Sequence, residues 1–541
     1  MEGRGVSALG SARALPWRWS LAYVAATFFA FPQPVGSDFV LDLGLVLGPA
    51  APALLLVALR GAAPGRALKV GFVAGWLAHA ALLHWAYVVT VVYGHAPVVV
   101  GLLAPFGMSL YVAPFIAGFA WVAAVLARRG LAHPLLLAAA WTAFEWLRSW
   151  VLTGFTWGGL GYAWHRNGAH LPLAATTGVY GLTFLIVMLG ASVPRLADAL
   201  RREGREGRAA WRDLGLAALL LVVAAAWPAW QRIEARVPDE AQPRLRVAVL
   251  QGNIDQNQKW SREAFESTLL AYEELTRRAA ADGAQLIAWP ETAVPAPLAH
   301  PELHDRIAAL AREVRTPLIL GAIGLDFDAQ GRPTAHYDSA FVFSHEGELL
   351  DRYDKTHLVP FGEYLPLRPL LGRFIRALAT GSISNDVSEG TRVRAIDVPL
   401  SNGEVVRVGI PICYELIFPD LVRRFADDGA ELLVGVTNDA WYGRTGSPHQ
   451  FFAMTAMRSA ENRIAGARAA NTGVSALIDS GGRARASTPI FERELLVGDV
   501  ALREFGAPAF YTRHGDRFAH ACTVATVLAA LFALLRGRQQ S

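Results

Sequence analysis

Gly409-Ile410-Pro411-Ile412-Cys413-Tyr414-Glu415 closes an apolar run that reads as a strand, Val406–Cys413, and sets one of the chain's two cysteines at its end. Upstream the arrangement recurs: Leu286-Ile287-Ala288-Trp289 runs into Pro290-Glu291, and Asp354-Lys355-Thr356 lies between the two. Further strands are predicted at Leu245–Leu250, Leu318–Gly321, Ala340–Phe343, Leu432–Thr437 and Val474–Asp479. Helices are predicted at Ser261–Ala280, with Ser261 as N-cap, at Glu302–Val314, and at Pro419–Asp428, stopped by Gly429. Several of the strands are short and continuously apolar, as strands buried on both faces are. The pattern predicts an α/β domain over residues 237–513, not a sandwich of alternating strands. About 275 residues is ample for one such core.

The remainder of the chain has another character. With 53% hydrophobic and 18% charged residues and a mean hydropathy of +0.30, the sequence falls outside the soluble globular range. Its net charge of +4 does not mark a nucleic-acid binder, because the basic residues fall mostly in short loops beside apolar segments. Two cysteines cannot build a disulfide framework, Cys522 lies inside an apolar segment, and no CxxC or Cys/His cluster suggests a metal. A free reactive thiol is the simplest reading of Cys413.

Spanning a hydrocarbon layer of about 30 Å takes about 20 apolar residues. Seven candidates precede the α/β domain: Leu15–Phe31, Phe39–Leu59, Val70–Tyr93, Pro97–Leu126, Pro134–Leu152, Leu171–Val193 and Leu214–Trp230; an eighth follows at Phe518–Leu535. The first is read as an uncleaved anchor. The expected organisation is a membrane domain at 1–236, the α/β domain at 237–513, and a final span with its tail at 514–541. Placing the N-terminus in the cytoplasm puts Arg4, Arg13, Arg18, Arg60, Arg66, Lys69, Arg128, Arg129, six arginines of a loop from Arg195 to Arg212, Arg536 and Arg538 on that side. The opposite short loops hold only Arg166, so the α/β domain is expected outside the cytoplasm.

Within the fifth span Glu145 and Arg148, at i and i+3, are expected to form a structural ion pair. The following Gly154-Phe155-Thr156-Trp157-Gly158-Gly159-Leu160-Gly161-Tyr162 reads as an interfacial aromatic belt or the floor of a lipid cleft.

Thiol acyl transfer needs a nucleophile, a base to take its proton and a cation to hold the tetrahedral oxyanion. Cys413, Glu291 and Lys355 are of the right kinds, and Lys355 is expected to lower the thiol pKa and to share the oxyanion with a backbone N–H beside Cys413. Taken singly, a Cys after a strand is usually a core thiol, a Glu after Trp-Pro a turn residue and a lone Lys solvated. The three together, each at a strand end, point to chemistry.

The trio resembles the Glu-Lys-Cys triad of the nitrilase or carbon–nitrogen hydrolase superfamily, and the spans on either side narrow the resemblance to its membrane-bound apolipoprotein N-acyltransferase branch. It runs through nearly the whole chain: Glu145-Trp146-Leu147-Arg148 with Thr153-Gly154-Phe155, Trp289-Pro290-Glu291, Lys355 to Tyr364, Cys413-Tyr414-Glu415, Asn438 to Gly443, and Arg458 through Asn462 to Asn471-Thr472-Gly473. The resemblance implies a four-layer αββα catalytic domain and a ping-pong reaction without cofactor or metal. A phospholipid, typically phosphatidylethanolamine, donates its sn-1 acyl chain to Cys413, and the N-terminal amine of a diacylated apolipoprotein accepts it. The protein is expected to act as a monomer among membrane lipids of the bacterial inner membrane. The resemblance also implies supporting roles for Glu363, Tyr414 and Glu415, and a place for Trp260 at the substrate entrance. Tyr337-Asp338-Ser339 stands where such proteins commonly show Tyr-Asn-Ser; lying outside the triad, it is expected to leave the chemistry unaltered.

Two other functions use the same residues. A membrane-bound amidase would share the triad, but seven spans are superfluous for a small soluble amide. A catalytically dead lipid-binding scaffold would usually have lost a triad position.

Overall fold

The structure is a computed structural model that describes residues 16–36, 39–201, 205–234, 243–366, 386–502 and 508–538. Arg4, Arg13 and the expected domain boundary at 236–237 lie outside the described residues.

Eight helices occupy the eight apolar segments: Pro16–Phe29, Gly44–Ala58, Pro64–Leu82, Val98–Arg128, Pro134–Arg148, Val179–Arg201, Arg205–Glu234 and Arg517–Arg538. Four contain stretches long and apolar enough to cross a membrane: Val98–Arg128, Val179–Leu196, Gly207–Ala226 and Arg517–Arg536. Others are shorter than the sequence suggested. The segment from Phe39 divides into a hairpin, β1 (Gln33–Val35) with β2 (Phe39–Leu41), and a helix of 15 residues, about 22 Å long at 1.5 Å per residue. The segment from Pro134 ends at Arg148, because the chain turns through positive φ at Leu152 and Thr153. The segment from Leu171 is broken at Gly178, whose φ of 65° and contact with the Tyr511 ring leave no room for a side chain. The loop expected between Arg195 and Arg212 is mostly helix, since the flanking helices run on to Arg201 and restart at Arg205.

The second half is built on two sheets. One has the order β15 (Glu494–Ala501), β3 (Arg244–Gln251), β4 (Leu286–Ala288), β6 (Leu318–Phe327), β7 (Pro333–Phe343), β8 (Leu349–Asp354), with β5 (Val294–Pro297) beside β6. The other has the order β14 (Ala484–Ser487), β13 (Ala476–Ile478), β12 (Ala465–Ala470), β11 (Leu432–Thr437), β10 (Val405–Gly409), β9 (Ile396–Pro399). β3, β4 and β6 are mutually parallel, as are β10, β11 and β12, with antiparallel strands at the edges.

Side-chain alternation explains the layers. On β3, Leu245, Val247 and Val249 join the core between the sheets, while Ala248 and Leu250 join a second core against helices Arg262–Ala281 and Pro301–Val314. The same division separates Leu286 and Ala288 from Ile287 and Trp289, and Ala340 and Val342 from Phe341 and Phe343. Helices Pro419–Asp427 and Ser447–Asn462 cover the outer face of the other sheet, completing four αββα layers. Ser261 caps its helix by accepting from the Ala264 N–H at 3.1 Å. The strand expected to reach Cys413 stops at Gly409. Pro411 has no N–H to give a ladder, and only Ile412 bridges back to Val436.

Candidate active site

Leaving the strand frees Cys413 to open a one-turn 3₁₀ helix, Cys413–Ile417, with φ at 45°. That conformation is costly for a residue with a Cβ and persists only where its surroundings hold it. Glu415 does the holding. Fully buried, it accepts from the Ile412 N–H at 2.7 Å through Oε2, and from Tyr353 Oη (2.7 Å), the Thr356 N–H (2.7 Å) and Thr356 Oγ1 (2.9 Å) through Oε1. One carboxylate thus ties the cysteine turn to the residue after Lys355. Tyr414 packs edge-on against Phe418 at 5.1 Å and lies 5.8 Å from the His357 ring.

Lys355 follows β8 and is wholly buried. Its Nζ donates to Glu291 Oε1 at 3.1 Å, Asp338 Oδ2 at 3.2 Å and Glu363 Oε1 at 2.5 Å. The three carboxylates bring oxygens within 4.8 Å of one another, a spacing a metal ion could bridge, but the ammonium already sits among them. Burial opposes the Lys355 charge; the Glu363, Glu291 and Asp338 carboxylates outweigh it and hold the pKa well above the ordinary lysine value. Glu363 also orders its own loop, accepting from the Val359 N–H at 2.8 Å.

The Cys413 thiol is 7% exposed and receives a hydrogen bond from the Asn438 backbone. Burial, with the Glu291 charge added, pushes its pKa well up; Lys355 does pull it down, as expected, but is outweighed, so the net shift is upward. The resting group is SH, and its proton must be removed as it attacks.

Sequence reasoning missed two neighbours. Asp338, set aside as lying outside the triad, touches Lys355; burial and the Glu291 charge push its carboxyl up to about 8 against the pull of Lys355. Lys259 is buried beside Glu291, donating to the Glu291 carbonyl (3.1 Å) and Thr292 Oγ1 (2.6 Å). Burial lowers it to about 8, with the Glu291, Asp338 and Cys413 charges opposing. Its sequence neighbour Trp260 points outward, 53% exposed. The departure from Tyr-Asn-Ser was a usable signal for Asp338; nothing in the sequence distinguished Lys259 from a solvated lysine.

The remaining motifs hold this centre in place. Asn438 bridges Gln256 (2.8 Å) and Asn471 (3.1 Å), and Asn471 accepts from the Ile254 N–H at 2.9 Å. Asp439 takes both its oxygens to buried Arg468 at 2.9 Å, and Gly473 is glycine because a Cβ would lie 1.9 Å from that carboxylate.

The membrane domain reaches the same turn. Thr156 Oγ1 and Arg458 Nη1 both donate to the Ile417 carbonyl, at 2.7 and 3.2 Å, and Trp157 is buried among Trp85, Tyr442 and Phe451. The Gly154–Tyr162 loop is consequently a buried seam between the two halves, not an exposed belt. Glu145 and Arg148 do not pair. Glu145 accepts from Trp141 Nε1 (2.9 Å), the Leu160 N–H (2.8 Å) and Thr183 Oγ1 (2.8 Å), while Arg148 donates to the Trp157 carbonyl at 3.2 Å. Both side chains hold the seam loop. Glu461, paired with Arg458, adds a contact by accepting from the Val179 N–H at 2.9 Å.

An αββα domain with a buried Glu-Lys-Cys cluster, joined to apolar helices, defines a member of the carbon–nitrogen hydrolase superfamily. The carbon–nitrogen hydrolase family model matches residues 246–508, and the model of the apolipoprotein N-acyltransferase N-terminal domain matches 16–192. The apolipoprotein N-acyltransferase of Geobacter metallireducens is 38% identical, covering 89% of this chain and 90% of its own length; that of Methylococcus capsulatus is 35% identical, covering 87% of each. The chain belongs to the apolipoprotein N-acyltransferase family. A solved amidase of the nitrilase superfamily from Nesterenkonia sp. AN1 is also similar, at 20% identity and a TM-score of 0.37 over 52% of this chain and 98% of the amidase.

Proposed function

We propose that the protein moves an acyl chain from a phospholipid, through a thioester on Cys413, to the N-terminal amine of a diacylated apolipoprotein. Glu291 takes the thiol proton as Sγ attacks the sn-1 ester carbonyl, and Lys355, with a backbone N–H beside Cys413, holds the oxyanion. Collapse breaks the ester C–O bond; the leaving glycerol oxygen takes the proton from Glu291 and departs as a lysophospholipid. The amine then attacks the thioester and gives a proton to Glu291. The C–S bond breaks, and the thiolate recovers that proton. Glu363 and Asp338 hold Lys355, Glu415 holds the Cys413 turn, Tyr414 packs behind it, and Trp260 flanks the way in.

The observation that carries this reading is the short path from thiol to membrane domain. Ile417, at the end of the turn that Cys413 opens, is hydrogen-bonded by Thr156 of the seam loop. An enzyme for a soluble amide has no use for that junction. In this reading the chain is a monomeric protein of the bacterial inner membrane. Its catalytic domain, residues 237–513, lies outside the cytoplasm, as the arginine distribution suggests, and both termini lie inside.

The test is mass analysis of a native lipoprotein's N-terminus in cells with and without this protein. The expected result is a triacylated terminus only where the protein is present. Triacylation that persists without it, in cells lacking another such enzyme, contradicts the proposal, and release of ammonia from small amides by the purified protein favours the amidase.

A further inference from the structure

Lys355 presents a charge imbalance. Three carboxylates from three parts of the chain meet one ammonium in a closed site: Glu291 after β4, Asp338 on β7 and Glu363 from the loop beyond Lys355. Three anions at this spacing repel strongly where water is excluded, and one cation does not offset them. The second ammonium, Lys259, is bonded to a carbonyl and a hydroxyl, not to a carboxylate.

The hydrogen bonds single out where a proton belongs. Glu363 uses both oxygens as acceptors, one to Lys355 and one to the Val359 N–H. Asp338 accepts from Lys355 through Oδ2, whereas its Oδ1 is buried with no donor aimed at it. A buried carboxylate oxygen without a donor is costly, but a carboxyl OH needs only an acceptor. A Glu291 oxygen lies within 4.8 Å of an Asp338 oxygen. The charges that face Asp338 are thus Glu291, Lys355 and Glu363, with the Lys259 ammonium behind them. Asp354, the next acid on the adjoining strand, is already bonded to Ser339 and Arg352.

We propose that Asp338 is a positioning residue of this site: it carries a proton and donates it to the Glu291 carboxylate, so that Lys355 faces two anions and one neutral acid. The arrangement fixes the base and leaves the ammonium free to answer charge that develops on the substrate. Ionising Asp338 adds a third anion that competes for Lys355, so activity falls as the pH rises past about 8.

The experiment uses the full-length protein in detergent. Infrared difference spectra between wild type and Asp338→Asn should show a protonated-carboxyl C=O band that wild type loses on raising the pH and the variant lacks throughout. ¹³C-labelled aspartate should move this band; a band that is absent, or that the label does not move, overturns the proposal even if Asp338→Asn fails to fold. This arm needs no substrate and is independent of the acyl-transfer reading. The second arm rests on that reading: with each profile normalised to its own maximum, Asp338→Asn should carry its alkaline limb at least about one unit higher than wild type. Asp338→Leu should lose more than about tenfold at every pH. Superimposable pH profiles for wild type and Asp338→Asn, or a limb that moves only in Lys259→Met, overturn the proposal.

Discussion

At the strand ends one ammonium, Lys355, gathers three carboxylates from as far as 64 residues away, whereas in the membrane domain Glu145 and Arg148, three residues apart on one helix, never meet. The difference lies in what else each group is offered. Glu145 and Arg148 sit beside a loop whose N–H and carbonyl groups need partners, and a buried backbone group left unpaired costs more than an ion pair returns. Around Lys355 only Glu363 spends an oxygen on the backbone, at the Val359 N–H, and each of the three acids still has an oxygen on the ammonium. Adjacency in sequence says which groups could pair; the unmet needs of the surrounding backbone decide which do.

Lys355→Met strikes this comparison hardest. It leaves buried carboxylates without their cation, so we expect no measurable transfer and a loss of about 3–5 kcal/mol in stability, read by thermal unfolding. A variant as stable as wild type would mean that Glu291 and Glu363 are not ionised around Lys355 as described. Glu415→Gln comes next. It replaces one acceptor end by a donor that meets either the Ile412 N–H or the Tyr353 and Thr356 donors. A loss of about 1–3 kcal/mol should come with a fall in kcat, because the Cys413 turn loses its tether. Glu145→Gln is the membrane-side counterpart. It weakens the hold on the seam loop by about 1 kcal/mol, lowering protein yield while turnover per folded molecule stays near wild type. Unchanged yield with lost turnover would move Glu145 from the scaffold into the chemistry. Cys522→Ala, within the helix Arg517–Arg538, should change neither quantity measurably.

The sequence made the α/β alternation legible because β3, β4, β6 and β11 are apolar runs of strand length. It hid β12, Ala465–Ala470, whose alanines and glycine favour no strand and which forms one because it lies wholly buried between β11 and β13. Helix Ser447–Asn462 was equally hidden, since almost every residue on it is buried and no polar stripe marks its phase. Glu291, Lys355 and Cys413 stood out by type and place. Asp338 was marked only by the departure from Tyr-Asn-Ser, because its contact with Lys355 is made by tertiary approach, 17 residues apart in the chain. Eight apolar segments were visible, but not their lengths, which turns at Leu152 and Gly178 cut short.

The central claim, a thioester on Cys413 fed from a lipid, is tested most directly by intact mass analysis of the detergent-solubilised protein. It would be mixed with phosphatidylethanolamine, then with a diacylated lipopeptide. The account predicts an added acyl mass that maps to Cys413, is absent in Cys413→Ala, and passes to the lipopeptide amine on its addition. Acylation that persists in Cys413→Ala, or lipopeptide acylated with no bound acyl group ever detected on the wild-type enzyme, would contradict it.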